Sequence, residues 1–200
     1  MLFIIGLCGG SGSGKGAVSS CLASLGIPSI DTDKVYHELT SAPSPCLDEL
    51  RSEFGDAVIE NGALSRKALA DIVFSSDGGK ERLVRLNTIA HKHILDKVRE
   101  LISEFEKKGI KTVVVDAPLL FESGFDKECD LTLAVIAERE VRISRIMARD
   151  NITYGEARRR IDSQASDKWL SENADRVIEN NGDIDSLCER VRMLIKEISK

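Results

Sequence analysis

Apolar positions along this chain follow two alternating patterns. Unbroken apolar runs of strand length stand at residues 2–8, 112–116 and 131–136, the last two nearly all β-branched or aliphatic (Val113-Val114-Val115 and Leu131-Thr132-Leu133-Ala134-Val135-Ile136). Runs of this kind are typical of parallel strands covered on both faces. A shorter strand is predicted at residues 27–30 and a weaker last one at 176–179. Between them the apolar period changes to that of a helix. Val18, Cys21, Leu22 and Leu25 predict a helix over 15–25, ended by Gly26, and residues 33–39 predict a second. From 45 to 107 the pattern is helical throughout. Leu47, Leu50 and Phe54 mark one piece; Leu69, Ile72 and Val73 mark another. Leu83, Leu86, Ile89, Leu95, Val98, Leu101, Ile102 and Phe105 line a long helix that ends at Gly109. Ile184, Leu187, Val191, Leu194, Ile195 and Ile198 define a closing helix. Strands alternating with helices predict a doubly wound α/β sheet, and the helical stretch of about 40–108 stands as an insert between its second and third strands.

Composition changes this picture little. A chain of 200 residues suits one compact domain with a small inserted subdomain, and 42% hydrophobic with 30% charged residues is ordinary for a soluble globular protein. No apolar run approaches the roughly 20 residues of a membrane span, and Met1 leads straight into a strand, so neither a membrane anchor nor a signal peptide is expected. The clearest breaks are Ser41-Ala42-Pro43-Ser44-Pro45 and Ser75-Ser76-Asp77-Gly78-Gly79. Cys8, Cys21, Cys46, Cys129 and Cys188 are scattered singly with no C-x-x-C pair, which predicts reduced thiols in a cytoplasmic chain. Net charge of −5 gives no general attraction to nucleic acid. The charge is uneven, however: seven arginines against three acids between Arg139 and Arg160 predict an anionic ligand there.

The strongest local signal follows the first strand. Gly9-Gly10-Ser11-Gly12-Ser13-Gly14-Lys15-Gly16 keeps the G-x-x-x-x-G-K spacing of a phosphate-binding loop and opens directly into a helix. Its glycines permit positive φ and let backbone N–H groups approach phosphate oxygens. Lys15 reaches the outer phosphates, and the helix N-terminus adds a dipole that favours anions. One hydroxyl is missing. Gly16 stands where a Ser or Thr ordinarily ligates Mg²⁺, so the metal must be held otherwise, through water and a distant carboxylate.

In an open parallel sheet ligands gather at the carboxyl ends of the strands, where this chain places Asp31, Asp33 and Asp116. Within Asp31-Thr32-Asp33 one carboxylate caps the next helix and the other can accept the proton of an attacking hydroxyl. Asp116 either orders the turn into Pro118 or orients a metal through water. Arg142, Arg145 and Arg149, at i, i+3 and i+7, share a helix face that is either solvated surface or a lid closing over phosphates. His91 and His93, two apart on a helix, point in different directions and make a poor metal pair.

Together these residues resemble the dephospho-coenzyme A kinase family. The resemblance rests on residues 5–15, on Leu25-Gly26-Ile27-Pro28 with Asp31-Thr32-Asp33, and on Gly62-Ala63-Leu64-Ser65-Arg66 and Ile72-Val73-Phe74. It continues through Leu86-Asn87-Thr88-Ile89-Ala90-His91, Asp116-Ala117-Pro118-Leu119-Leu120-Phe121-Glu122, Arg145 with Arg149-Asp150, Ser163-Gln164, and residues 174–182. The phosphate loop alone is generic; its combination with D-x-D and D-x-P-L-L-F-E is specific. The resemblance implies a three-layer α/β P-loop NTPase fold with a parallel sheet, a helical substrate insert at about 40–108 and an Arg-rich helical lid at about 138–170. It implies transfer of the γ-phosphate of ATP, with Mg²⁺, to the ribose 3′-hydroxyl of dephospho-CoA.

Carried over by position, Asp33 would be the base and Lys15, Arg145 and Arg149 would act on the phosphates. ATP would lie against Gly10, Ser11, Gly12, Ser13, Gly14, Lys15, Gly16 and Ala17, with Asn180 and Gly182 near adenine. Arg66, Phe74, His91, Asp116 and Leu119 would hold the acceptor, and Asp116 the metal through water. A monomer or weak homo-oligomer is expected, with no nucleic-acid or membrane partner. The chain departs from the family pattern at Gly16-Ala17, where two hydroxyl residues are usual, at Cys8 for Thr and at Lys92 for Pro. Losing one charge-assisted contact costs about 1.5–3 kcal/mol, about tenfold to hundredfold in rate, unless water substitutes. Two alternatives remain: a kinase of another small hydroxyl acceptor, and an ATP- or CoA-binding module of weak catalysis.

Overall fold

A computed structural model describes residues 2–75 and 78–198, so the break expected at Ser76 and Asp77 and the lead-in from Met1 lie outside the described residues. The chain divides into two compact units, one formed by residues 1–30 with 105–200 and the other by Asp31–Glu104.

The first unit is built on the predicted parallel sheet. Strand β1 (Phe3–Cys8) occupies the centre, where both faces are covered. The later strands β5 (Thr112–Asp116), β6 (Leu131–Ile136) and β7 (Arg176–Glu179) and the short β2 (Ser29–Asp31) complete the order β2-β5-β1-β6-β7. Register pairs Leu7 with Asp116 on one side and with Leu133 on the other, which brings the ends of β1 and β5 level. Gly6 keeps β1 free of a side chain where Leu120 presses on it. A Cβ at Gly6 would meet Leu120 Cδ2 at 2.9 Å.

Helix α1 (Lys15–Ser24) and the closing helix α9 (Ile184–Ile198) cover one face, and their apolar stripes (Val18, Cys21 and Leu22; Leu187 and Val191) are buried against Ile5, Leu7, Leu133 and Val135. Gly26, at φ 78°, ends α1 as the sequence predicts. Helices α6 (Arg139–Asp150), α7 (Tyr154–Asp162) and α8 (Asp167–Asn173) follow β6, with Ile143, Ile146, Ala157 and Ile161 as a small core of their own. Thr153 starts α7 with a reciprocal capping box to Glu156.

Among the described residues the expectation of reduced thiols is wrong at one pair: Cys21 of α1 and Cys188 of α9 form a disulfide across a separation of 167 residues. Spacing arithmetic looks for close pairs, whereas this one is brought together by two helices packed side by side. Closing so long a loop constrains the unfolded chain and is worth about 2–4 kcal/mol. Reduction by dithiothreitol is therefore expected to lower the thermal midpoint by roughly 4–16 °C; an unchanged midpoint in calorimetry would show that the bond contributes nothing. Cys8, Cys46 and Cys129 remain thiols. Burial, aided for Cys8 by the nearby Glu122 carboxylate, pushes Cys8 and Cys129 up to about 12 and Cys46 to about 11, so all three stay protonated at neutral pH.

The second unit carries α2 (Thr32–Ser41), α3 (Pro45–Phe54), α4 (Arg66–Val73) and most of α5 (Gly79–Lys107). The predicted break at residues 41–45 is a helix start: Ser44 Oγ accepts from Leu47 N–H at 3.0 Å and Pro45 takes the first helical position. Helix is not continuous from 45 to 107, contrary to the expectation. Strands β3 (Ile59–Glu60) and β4 (Ala63–Leu64) form an antiparallel hairpin, turned by Asn61 and Gly62 at φ 51° and 79°. An Asn-Gly pair with both φ positive is the preferred two-residue turn, and the strands it joins are too short to show a period of two. Cys46, Leu50 and Ile89 form one core and Val58, Leu69 and Val73 another, with Leu86 packed against both.

Candidate active site

The loop between β1 and α1 is held from outside by its carbonyls. Arg142, on α6 and only 2% exposed, donates through Nε to Ser11 O at 2.9 Å, and its Nη1 pairs with Asp167 at 2.7 Å. Arg145 Nη1 donates to Asn180 O at 2.9 Å and to Gly12 O at 3.3 Å, and Asn180 Nδ2 donates to Ser13 O at 2.8 Å. No peptide among the described residues is cis. In a trans peptide C=O and N–H point in opposite directions, so tying the Ser11 and Ser13 carbonyls outward turns the Gly12 and Gly14 N–H groups the other way. That is the arrangement an anion-binding loop requires.

Two glycines make this close approach feasible. Gly12 has φ 77°, and a Cβ there would meet the Arg142 carbonyl oxygen at 2.6 Å; Gly14, at φ 95°, would drive a Cβ into Asn180 Nδ2. At Gly16, by contrast, a Cβ meets nothing within 4 Å. The missing hydroxyl therefore reflects no steric demand.

Below the loop, Lys15 Nζ forms an ion pair with Asp116 Oδ1, and Ser19 Oγ donates to Asp116 Oδ2 at 2.9 Å. Asp116 is buried at the end of β5. It thus orders Lys15 and α1, where the sequence left open an ordering of the turn or a metal. A carboxylate beside the loop lysine is also the donor type Mg²⁺ uses together with water and substrate phosphates, so these residues fit the metal. Leu119, just beyond, is exposed, and Phe121 packs edge-on against Trp169 with centroids 5.2 Å apart.

Not every predicted residue reaches the loop. Arg149 is 60% exposed and bound to Asp150, whose carboxyl that guanidinium, with Arg160, holds down to about 2. Gly182 is exposed in the turn before α9. Gln164, quoted in a motif but given no role, accepts from Ser11 N–H at 2.8 Å and receives Arg142 Nη2 at 3.3 Å. Ser19 carries no sequence-based expectation, and Arg142, expected on a solvated or lid face, instead props the loop from outside. The spacing signals were available: Ser19 follows Lys15 by one helical turn, and Arg142 shares the face of Arg145.

In the second unit, Asp31 is the cap. Its Oδ1 accepts from Asp33 N–H at 3.0 Å and Lys34 N–H at 3.1 Å, while Asp33 is exposed in the first turn of α2. Arg66, at the start of α4, donates to His37 Nδ1 at 3.0 Å, so the cation and the Asp33 helix are tied together. Phe74 closes α4 with 73% of its surface exposed, and His91 is half-buried on α5. His93 serves structure: its Nε2 meets Glu49 at 2.7 Å, and Lys92 reaches the same carboxylate at 2.8 Å, holding Glu49 below the usual range.

The sheet, the anchored loop and its lysine define a phosphate-loop nucleotide-binding protein. Comparison with known proteins narrows this class. Residues 3–186 match the family model for dephospho-CoA kinase. A dephospho-CoA kinase from Fusobacterium nucleatum is 40% identical over 198 residues, covering 98% of this chain and 99% of that protein. The crystal structure of a Thermus thermophilus protein superposes with a TM-score of 0.81 at 33% identity, covering 98% and 97% of the two chains. A dephospho-CoA kinase from Campylobacter jejuni gives a TM-score of 0.72 at 27% identity, covering 100% and 98%. The chain belongs to the dephospho-CoA kinase family.

Proposed function

We propose that the chain transfers the γ-phosphate of ATP to the ribose 3′-hydroxyl of dephospho-CoA, giving CoA and ADP. The observation that carries this reading is the family match along nearly the whole chain, over a loop whose lysine and glycines are intact. In this reaction Asp33 accepts the 3′-hydroxyl proton, the oxygen attacks the γ-phosphorus, and the bond to the β,γ-bridging oxygen breaks to release ADP. Lys15 leaves Asp116 for the phosphates and, with the N–H groups of residues 12–17, holds them in line. Arg145 acts from behind, keeping the loop in shape through its carbonyls, and Arg149 exchanges Asp150 for the transferring group as the lid at about 138–170 closes. Asn180 and Gly182 border the adenine. Mg²⁺, when bound through water to Asp116, offsets charge on the β- and γ-phosphates.

On the acceptor side, the insert at about 40–108 supplies Arg66 for phosphate, Phe74 for apolar stacking and His91 for a polar contact, while Leu119 adds apolar surface from the segment after β5. We place the enzyme in the cytoplasm, as a monomer or weak homo-oligomer; the thiol pool there bears directly on the Cys21–Cys188 bond. No helix among the described residues is long and apolar enough to cross a membrane. An acceptor panel tests the substrate. With ATP fixed, kcat/KM for dephospho-CoA is expected to exceed that for shikimate or a nucleoside monophosphate by about 10²-fold or more. Equal or better use of another acceptor would reassign it.

A further inference from the structure

The vacancy at position 16 raises the question of what orients the carboxylate that the metal depends on. Lys15, Gly16 and Ser19 all lie in the first turns of α1, and residues three and four apart on a helix share a face. Asp116 is gripped at both oxygens, by Lys15 at Oδ1 and by Ser19 Oγ at Oδ2, 2.9 Å away. The two grips differ in permanence. The Lys15 ammonium sits on a flexible four-carbon stem and is the group that phosphates attract, so nucleotide binding draws it off the carboxylate. Ser19 has one short rotor on a helix packed into the core through Val18, Cys21 and Leu22, and it has no phosphate-binding duty.

The geometry points to Ser19 as the positioning residue that keeps Asp116 aimed once Lys15 has moved to the phosphates, so that this chain orients its metal site from position 19 in place of position 16. The inference rests on the kinase reading above. Gly16 supports it from the other side: there is open space for a side chain and none is present, so the first turn of α1 contributes no hydroxyl of its own. Ser19 is not a catalytic residue in this scheme, since its hydroxyl donates to the carboxylate and acts through it.

The test is a double-mutant cycle with Ser19→Ala, Gly16→Ser and the pair, read by CoA formation and by Mn²⁺ titration of the ATP-bound protein in electron paramagnetic resonance. Ser19→Ala is expected to lower turnover about tenfold and weaken Mn²⁺ about tenfold, with KM for ATP within about twofold, as for a lost hydrogen bond to a charged group. Ser19→Thr, which keeps the hydroxyl, is expected to restore both within about twofold. In the Gly16→Ser background the same Ser19→Ala change should cost less than about threefold, because a hydroxyl at position 16 then shares the work.

Unchanged Mn²⁺ affinity in Ser19→Ala, or an equal loss in both backgrounds, would overturn the assignment. Absence of CoA formation by the native protein would instead count against the kinase reading, while the Mn²⁺ arm would still decide the role of Ser19.

Discussion

Asp33→Asn is expected to bind ATP as the native protein does and to form CoA about 10²- to 10⁴-fold more slowly, the range a positioned general base contributes. The substitution keeps shape and removes the negative charge and basicity on which the proposed base role of Asp33 depends. It should leave α2 intact, because the cap belongs to Asp31, which accepts from the backbone N–H of Asp33 and not from its side chain. Asp31→Asn is the matched control. Asparagine caps helices as well as aspartate, so that variant should retain turnover within about twofold. The check is steady-state CoA formation alongside fluorescent-nucleotide titration. Full activity in Asp33→Asn, or collapse in Asp31→Asn, would move the base to Asp31.

Lys15→Ala is expected to lower turnover by about 10²- to 10³-fold, because in the proposed reaction the ammonium would stabilise charge that builds on the phosphates in the transition state. ATP binding should weaken as well, by about tenfold to hundredfold, from loss of a charge-assisted contact. Lys15 also neutralises the buried Asp116 carboxylate from one side, so the variant should melt at lower temperature than the native protein, with Ser19 still in place. Lys15→Arg keeps the charge but presents a planar fork where the loop expects a point charge, and should recover stability better than turnover. A Lys15→Ala variant with native kcat and only a raised KM would assign this residue to uniform binding and remove it from the chemistry.

Much of this was legible in the sequence because the signals were long or covalently local. The strands at 112–116 and 131–136 were predicted to the residue, since nearly all-apolar β-branched runs admit few alternatives once helices flank them, while the half-charged Arg176-Val177-Ile178-Glu179 was predicted to the same bounds on a weaker signal. The phosphate loop was legible for the opposite reason: its chemistry is written in consecutive residues. What escaped was set by distance. Cys21 and Cys188 meet only because α1 and α9 pack on one face of the sheet. Arg142 is legible as one of an arginine face, either solvated surface or a lid over phosphates, yet it is buried against the outside of the loop, which becomes visible only when α6 is placed behind Ser11 and Gly12. The hairpin at Asn61-Gly62 was hidden by strands of two residues each. Local spacing leaves the cap open between Asp31 and Asp33, because either carboxylate suits it, and the hydrogen bonds from Asp33 and Lys34 N–H assign it to Asp31.

The missing hydroxyl at Gly16 bears on rate more than on reaction, because Lys15, the outward-tied carbonyls and Asp116 are all in place around it. That the chain is a working kinase in spite of Gly16 is tested most directly by incubating purified protein with ATP, Mg²⁺ and dephospho-CoA and following the acceptor by mass spectrometry. CoA, which is the acceptor carrying one added phosphate on its ribose 3′-oxygen, formed in step with ADP, is the predicted result; bound ATP with dephospho-CoA left unchanged would contradict it.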